Sequence, residues 1–212
     1  MCLKRLPVFL ILMTFGPLPA APKLKIRDYF LLLPENLMPE GAYSAAERKA
    51  LLTGKSTQGN VRLITDDPAN GYLSIGFDGR MQKGVFEFAI WRSDKGDDII
   101  GVNSLYLGVG GTDGQLHFYT LRNEEWKEVT HEVFSDFQLA AFKPRKNAPK
   151  MCDATPLPAF PAGFSCKLPR KGLTIVCKYE LFCETPVTFK ESDLYAKPVV
   201  SFHWQKNRFT AK

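Results

Sequence analysis

The sequence predicts a mainly β protein, built of antiparallel hairpins in series behind one short amino-terminal helix, with an α+β arrangement as the alternative. Three observations predict it. From Val61 onward apolar and polar residues alternate in short runs. Turn chemistry punctuates those runs, at Asp67-Pro68-Ala69-Asn70-Gly71, Asp78-Gly79, Asp94-Lys95-Gly96, Asp113-Gly114 and Arg122-Asn123-Glu124. A helix start signal, Ser44-Ala-Ala-Glu47, stands before them, a capping box in which the Ser hydroxyl and the Glu carboxylate each take one unpaired backbone N–H. With 212 residues, 45% hydrophobic and 24% charged, the chain holds one domain or two small ones, and its composition excludes intrinsic disorder.

Taken in order, the chain opens with Lys4 and Arg5, an apolar stretch from Leu6 to Phe15, then Gly16, Pro17, Pro19, Ala20 and Ala21. This is the layout of a secretory signal peptide over residues 1–20, with cleavage expected after Ala20. Ten residues of helix reach about 15 Å, half of a hydrocarbon core of roughly 30 Å, so a membrane anchor does not fit. The next apolar run, Tyr29 to Leu33, stops at Pro34, so no membrane span is expected. A periplasmic or secreted protein is the expectation, and the absence of any Asn-X-Ser/Thr acceptor agrees with a bacterial source.

Residues 21–142 form the expected β-rich domain. The capped helix runs to about Leu52 and Gly54 ends it. Strands follow at Val61–Thr65, Tyr72–Phe77, Val85–Arg92, Ile99–Leu107, Gln115–Arg122 and Trp126–Thr130. In the third, Phe86, Phe88 and Ile90 share one face while Glu87 interrupts the other, which predicts a sheet with one apolar and one wetter face. Residues 143–163 hold five prolines with Arg145, Lys146 and Lys150, the composition of an extended basic linker. Strands resume in residues 164–212, at Phe164–Leu168, Leu173–Tyr179, Thr185–Phe189 and Val199–Gln205, and Lys206-Asn207 turns the chain into a last short strand at Arg208–Thr210.

Charge is unevenly spread. Ala21 to Phe142 carries 13 basic and 17 acidic residues, while Lys143 to Lys212 carries 13 basic and 5 acidic. A cationic end of this kind steers an anionic partner: an acidic protein, a surface polymer or a phospholipid. Nucleic acid is not implied, because the basic residues are interrupted by prolines and no recognition helix or zinc finger accompanies them.

Four cysteines remain after processing, Cys152, Cys166, Cys177 and Cys183. In an exported chain they read as two disulfides with three pairings open; Cys177 with Cys183 and Cys152 with Cys166 is the preferred one. Zinc is excluded by the spacing, which contains no Cys-X2-Cys knuckle.

Catalytic motifs are sparse. Gly54-Lys55-Ser56 lacks the preceding Gly of a phosphate-binding loop, Lys49 standing in that place. Gly108 to Gly114 reads as a flexible hairpin connection or a binding loop. Asp66, Asp67, Asp94, Asp97, Asp98 and Asp113 read as turn residues, since no calcium loop spacing is present. No cofactor and no metal site is implied, and a site of several imidazoles would require His117, His131 and His203 to converge. The one enzyme reading is an envelope hydrolase in which His117 works as acid or base with Tyr119, two residues along the same strand face, assisted by Glu87 or Glu132.

Several short segments resemble a loose group of exported bacterial β-rich proteins of unknown function. They are Leu32-Leu33-Pro34-Glu35 with Glu47-Arg48, Asn70-Gly71-Tyr72-Leu73, Phe118-Tyr119 leading to Trp126 and Val129-Thr130, Leu168 through Ile175, and the closing Trp204 to Phe209 hairpin. The resemblance implies an envelope location and a β-rich fold and carries over no catalytic residue. The leading expectation is a secreted or periplasmic binding module, an inhibitor or immunity-type protein among its forms, with Arg145, Lys146, Lys150, Arg170 and Lys171 as contact residues. A structural envelope component is the third reading.

Overall fold

Ile26, Tyr29, Phe30 and Leu33 recur at helical spacing, so one turn of helix after another presents the same apolar stripe. They build α1 (Ile26–Leu32), whose first turn is tied by the Lys25 N–H to the Asp28 carboxylate at 2.7 Å. This helix is additional to the one the capping box predicts, α2 (Ala45–Leu52), where Ser44 N–H donates to Glu47 at 2.8 Å and Glu47 N–H to the Ser44 hydroxyl at 3.3 Å. Arg48 of α2 is 2% exposed. Its guanidinium donates to the Phe30 and Leu33 carbonyls, capping the negative end of α1 and locking the two helices together.

The structure is a computed structural model and describes residues 23–38, 43–55, 61–78, 82–94, 96–108, 111–134, 164–179 and 199–211. The predicted signal peptide, the linker at 143–163, the strand expected at Thr185–Phe189, and Arg145, Lys146, Lys150, Cys152 and Cys183 lie outside the described residues.

Alternating apolar runs joined by short turns fold into a six-stranded antiparallel meander: β1 (Val61–Asp67), β2 (Tyr72–Asp78), β3 (Gln82–Arg92), β4 (Asp98–Gly108), β5 (Gly111–Arg122) and β6 (Glu125–Glu128). Six of the expected strands appear in order. The last one stops two residues early, at Glu128, because Thr130 begins the single-turn helix α3 (Thr130–Val133) and turns the chain off the sheet. The β5–β6 turn uses Asn123 (φ 49°) and Glu124 (φ 67°), the left-handed pair that matches the twist of a two-residue hairpin.

The second sheet is also antiparallel and has the order β10-β9-β8-β7, with β7 (Phe164–Lys167), β8 (Thr174–Tyr179), β9 (Val199–Gln205) and β10 (Arg208–Ala211). Lys206 (φ 50°) and Asn207 (φ 62°) form its closing hairpin turn.

Both faces of the large sheet are covered, which corrects the expectation of a wetter face. On one side Leu73, Ile75, Phe86, Phe88, Ile100 and Val102 pack under α1 and α2. On the other, Tyr72, Trp91, Leu116 and Phe118 meet Leu168, Ile175, Val200, Phe202 and Phe209 of the small sheet in a single core. The two parts expected from the sequence therefore share their apolar interior. Trp91 lies over Gly101, where an added Cβ would stand 2.7 Å from the indole, so a glycine makes room for the largest side chain of that core.

Cys166 and Cys177 face each other across the β7–β8 ladder, and they form the disulfide. This overturns the preferred pairing of Cys166 with Cys152 and of Cys177 with Cys183. The physical reason is the turn at Arg170 to Leu173: it folds the chain so that these two Cα atoms come to 4.0 Å, both side chains pointing into the shared core.

Candidate functional site

His117 and Tyr119 occupy successive helix-side positions of β5, and their rings stack at 6.1 Å. The β5–β6 register brings Glu128 beside them, and the His117 Nδ1–H donates to its carboxylate at 3.0 Å. The same carboxylate oxygen accepts from the Thr130 hydroxyl at 2.8 Å, and that hydroxyl accepts from the Phe118 N–H at 2.9 Å. Partial burial pushes Glu128 up, but the hydrogen bonds from His117 and Thr130 outweigh it and hold the carboxyl below its usual range. Burial, aided by the Glu128 charge, pushes the Tyr119 phenol up to about 12, so it stays a neutral donor near neutral pH.

Glu128, and neither carboxylate expected from the sequence, is therefore the partner of His117. Glu132 pairs instead with Lys127 at 2.7 Å. Glu87 points to the opposite side of the sheet, because it pairs with Asn103 and that row continues to Leu116, one residue out of phase with His117. Only 6% exposed, Glu87 is held between the sheets by three neutral donors: the Tyr72 hydroxyl at 2.7 Å, the Asn103 amide at 2.9 Å and the Leu168 N–H at 3.0 Å. Asn103 also donates to the Cys166 carbonyl at 2.8 Å. Burial and the facing carboxylate both raise the Tyr72 phenol well above its ordinary value. These bonds join β2, β3 and β4 to the strand carrying the disulfide, a structural role rather than an acid/base one.

Of the expected contact residues, Arg170 and Lys171 are described, and both are exposed on the β7–β8 turn. Arg170 reaches across to the large sheet and donates to Asp67 at 2.8 Å, holding that carboxyl below its usual range together with Asn70. Lys171 belongs to a wider feature. The described residues of β7 to β10 and their turns include Lys167, Arg170, Lys171, Lys178, Lys206 and Arg208 and no carboxylate. Lys167 lies opposite Val176 on the outward face of this sheet, and Val176 (41% exposed) and Val199 (48% exposed) share that face.

The aspartates considered for calcium are engaged elsewhere: Asp66 with Arg27, Asp98 with Arg92, Asp97 with Arg122, Asp94 with Asn207. Among the described residues no group of three His, Cys, Asp or Glu side chains converges. His203 stands on β9 beside Thr174, away from His117.

Sequence reasoning missed an open recess of about 170 Å³ between the end of the large sheet and the β9–β10 hairpin. Ile99, Val129, Val133 and Trp204 supply its apolar lining. The Trp204 indole N–H donates to the Arg92 carbonyl at 3.2 Å, and the Asn207 amide oxygen accepts the Asp94 N–H at 2.7 Å, so the hairpin is fastened to the β3–β4 turn. Thr120, 1% exposed, also lines the recess, and its hydroxyl has no hydrogen-bond partner among the described residues.

With this geometry in hand, the chain is similar to a solved domain of an uncharacterized protein from Porphyromonas gingivalis W83, with a TM-score of 0.52 over 86% of this chain and 96% of that one. The two share a fold. At 16% identity the likeness carries no residue roles. No family model and no curated protein matches.

Proposed function

We propose that the protein is an exported binding module that presents the outward face of the β7–β10 sheet to an acidic protein. The observation that carries this reading is the charge of that sheet: its described residues include no carboxylate, and Lys167, Lys171, Lys206 and Arg208 are exposed on it and its turns together with Val176 and Val199. Cations around a small apolar centre give long-range attraction to an acidic surface and a dry contact once docked. An inhibitor or immunity-type role is the finer form of this reading. Export is supported by the amino-terminal pattern, by a disulfide that suits an oxidising compartment, and by the lack, among the described residues, of a helix long and apolar enough to cross a membrane.

The test compares the oxidised chain from Ala21 to Lys212 with a Lys167→Glu, Lys171→Glu, Arg208→Glu variant as baits for an envelope extract, at low and physiological salt. An acidic protein captured in stoichiometric amount by the first and lost from the second is the expected result. Identical captures, or background alone from both, would defeat it.

A second reading rests on the His117–Glu128 pair, whose carboxylate orients an imidazole for general-base work on water. It expects turnover on a panel of glycan, peptide and ester substrates that His117→Ala abolishes; a fully active variant excludes it.

A further inference from the structure

We propose that the β7–β8 turn is an inhibitory loop whose tip, Lys171, enters the specificity pocket of a serine protease selective for lysine and arginine. This rests on the acidic-partner reading of the same sheet and names the partner's class: an enzyme whose pocket carries a carboxylate at its base. Arg170, Lys171, Gly172 and Leu173 are consecutive exposed residues, and Leu173 is 50% exposed. The Arg170 guanidinium is occupied by Asp67 at 2.8 Å, so Lys171 is the cation this turn offers. An added Cβ at Gly172 would meet nothing within 4 Å, so the peptide after Lys171 stands in open space.

The backbone between the loop's anchors decides the class. Before the tip, the Leu168 N–H donates to the buried Glu87 carboxylate at 3.0 Å; after it, the Leu173 carbonyl accepts from the Trp204 N–H at 3.0 Å. Cys166 and Cys177 close the base, and the Leu168 and Ile175 side chains are buried in the core. Between these anchors, among the described residues, no backbone-to-backbone hydrogen bond involves Pro169, Arg170, Lys171 or Gly172. A flat acidic surface has use for the cations alone. A protease cleft also pairs with main-chain N–H and C=O groups on either side of one side chain, and this turn leaves such groups open on a fixed frame. Fixing the loop in advance removes much of the ordering cost of binding, which separates an inhibitor from a flexible substrate. Were water to add across the Lys171–Gly172 bond, leaving a Lys171 carboxylate and a Gly172 ammonium, the disulfide and the β7–β8 ladder would keep the two new ends together.

The test assays the oxidised chain from Ala21 to Lys212 against pancreatic trypsin, with pancreatic chymotrypsin, whose pocket is apolar, as the contrast. The expected result is competitive inhibition of trypsin with a constant below about 1 μM, at least about thirtyfold weaker in Lys171→Ala, the loss that marks an anchor residue. Chymotrypsin should be unaffected. Every other lysine and arginine of the chain is kept in Lys171→Ala, so trypsin's action at those sites is common to both proteins. Because Lys171 is exposed, the variant folds as the parent does. A constant above about 1 μM, a smaller loss in Lys171→Ala, or equal inhibition of chymotrypsin would overturn the proposal. In that event an acidic protein still captured by the parent and lost from the Lys167→Glu, Lys171→Glu, Arg208→Glu variant would leave the binding-face reading standing, so the two failures are told apart.

Discussion

In the six-stranded sheet and its flanking segments several carboxylates are met by cations, as in Asp66 with Arg27, Asp97 with Arg122 and Asp98 with Arg92, whereas the described residues of the four-stranded sheet carry no carboxylate and, beside Arg170, which reaches Asp67, five further cations. The large sheet is also covered on both faces, by α1 and α2 on one side and the small sheet on the other, while the small sheet keeps an outward face with Val176 and Val199 exposed. The difference separates two tasks. One layer is a scaffold whose charges serve its own fold, and the other lends its inner face to the core and its outer face to solvent. The seam between them is itself polar at one point, where Glu87 gathers donors from both sheets.

The seam is where the comparison breaks most severely. Glu87→Leu removes the acceptor of the buried Tyr72 hydroxyl and Leu168 N–H, and we expect a loss of about 3–5 kcal/mol in urea unfolding. A loss under about 1 kcal/mol would mean that the sheets do not depend on this joint. Next in size is the disulfide. With Cys166 and Cys177 separated by 11 residues, replacing both by Ala is expected to cost about 3 kcal/mol in the chain-entropy account. The small sheet should loosen first, which hydrogen exchange of β7–β10 amides against β2–β5 amides would show.

Much of this scaffold is legible in the sequence. The capping box predicts α2, and Asn123-Glu124 and Lys206-Asn207 mark hairpins that the structure has. The cysteine pair is legible too, because Cys166 and Cys177 stand at equal distances from the Lys171-Gly172 turn, so any antiparallel pairing around it makes them neighbours. The stripe Ile26, Tyr29, Phe30, Leu33 is also readable as a helix, although Pro34 close behind it makes the run look like a short extended segment. What a strand pattern does not carry is the identity of the layer that covers each face. Glu87 reads as a wet position by alternation, and its burial depends on β7, a strand about 80 residues away in sequence. The recess is harder still: Trp204 joins Thr120 and Val133 there because the β9–β10 hairpin docks on the β3–β4 turn.

A smaller effect sharpens the charge contrast within the scaffold. Glu128 has a folded-state pKa below its unfolded one, so its hydrogen bonds stabilise the protein above the ordinary carboxylate range, and that contribution disappears as pH falls through the depressed value. His117→Ala removes one of those donors. Because the pair is partly exposed, the expected loss is a few tenths of a kcal/mol above about pH 5, fading to none near about pH 2. A difference that grew as pH fell from about 4 to about 2, through the carboxylate range, would contradict the assignment of Glu128 as the partner.

The smallest expected effect on stability belongs to the outward face, and there the contrast is tested most directly. The measurement is calorimetric titration of the captured acidic partner into the parent chain and into the Lys167→Glu, Lys171→Glu, Arg208→Glu variant, at about 50 and 300 mM salt, concentrations that bracket effective screening. Unfolding free energy should change by no more than about 0.5 kcal/mol, as for exposed side chains in general. The parent's affinity should fall with salt, and the variant's should be at least about tenfold weaker at low salt. Equal affinities and equal salt dependence in the two proteins would show that the cationic face of the small sheet is not the contact surface.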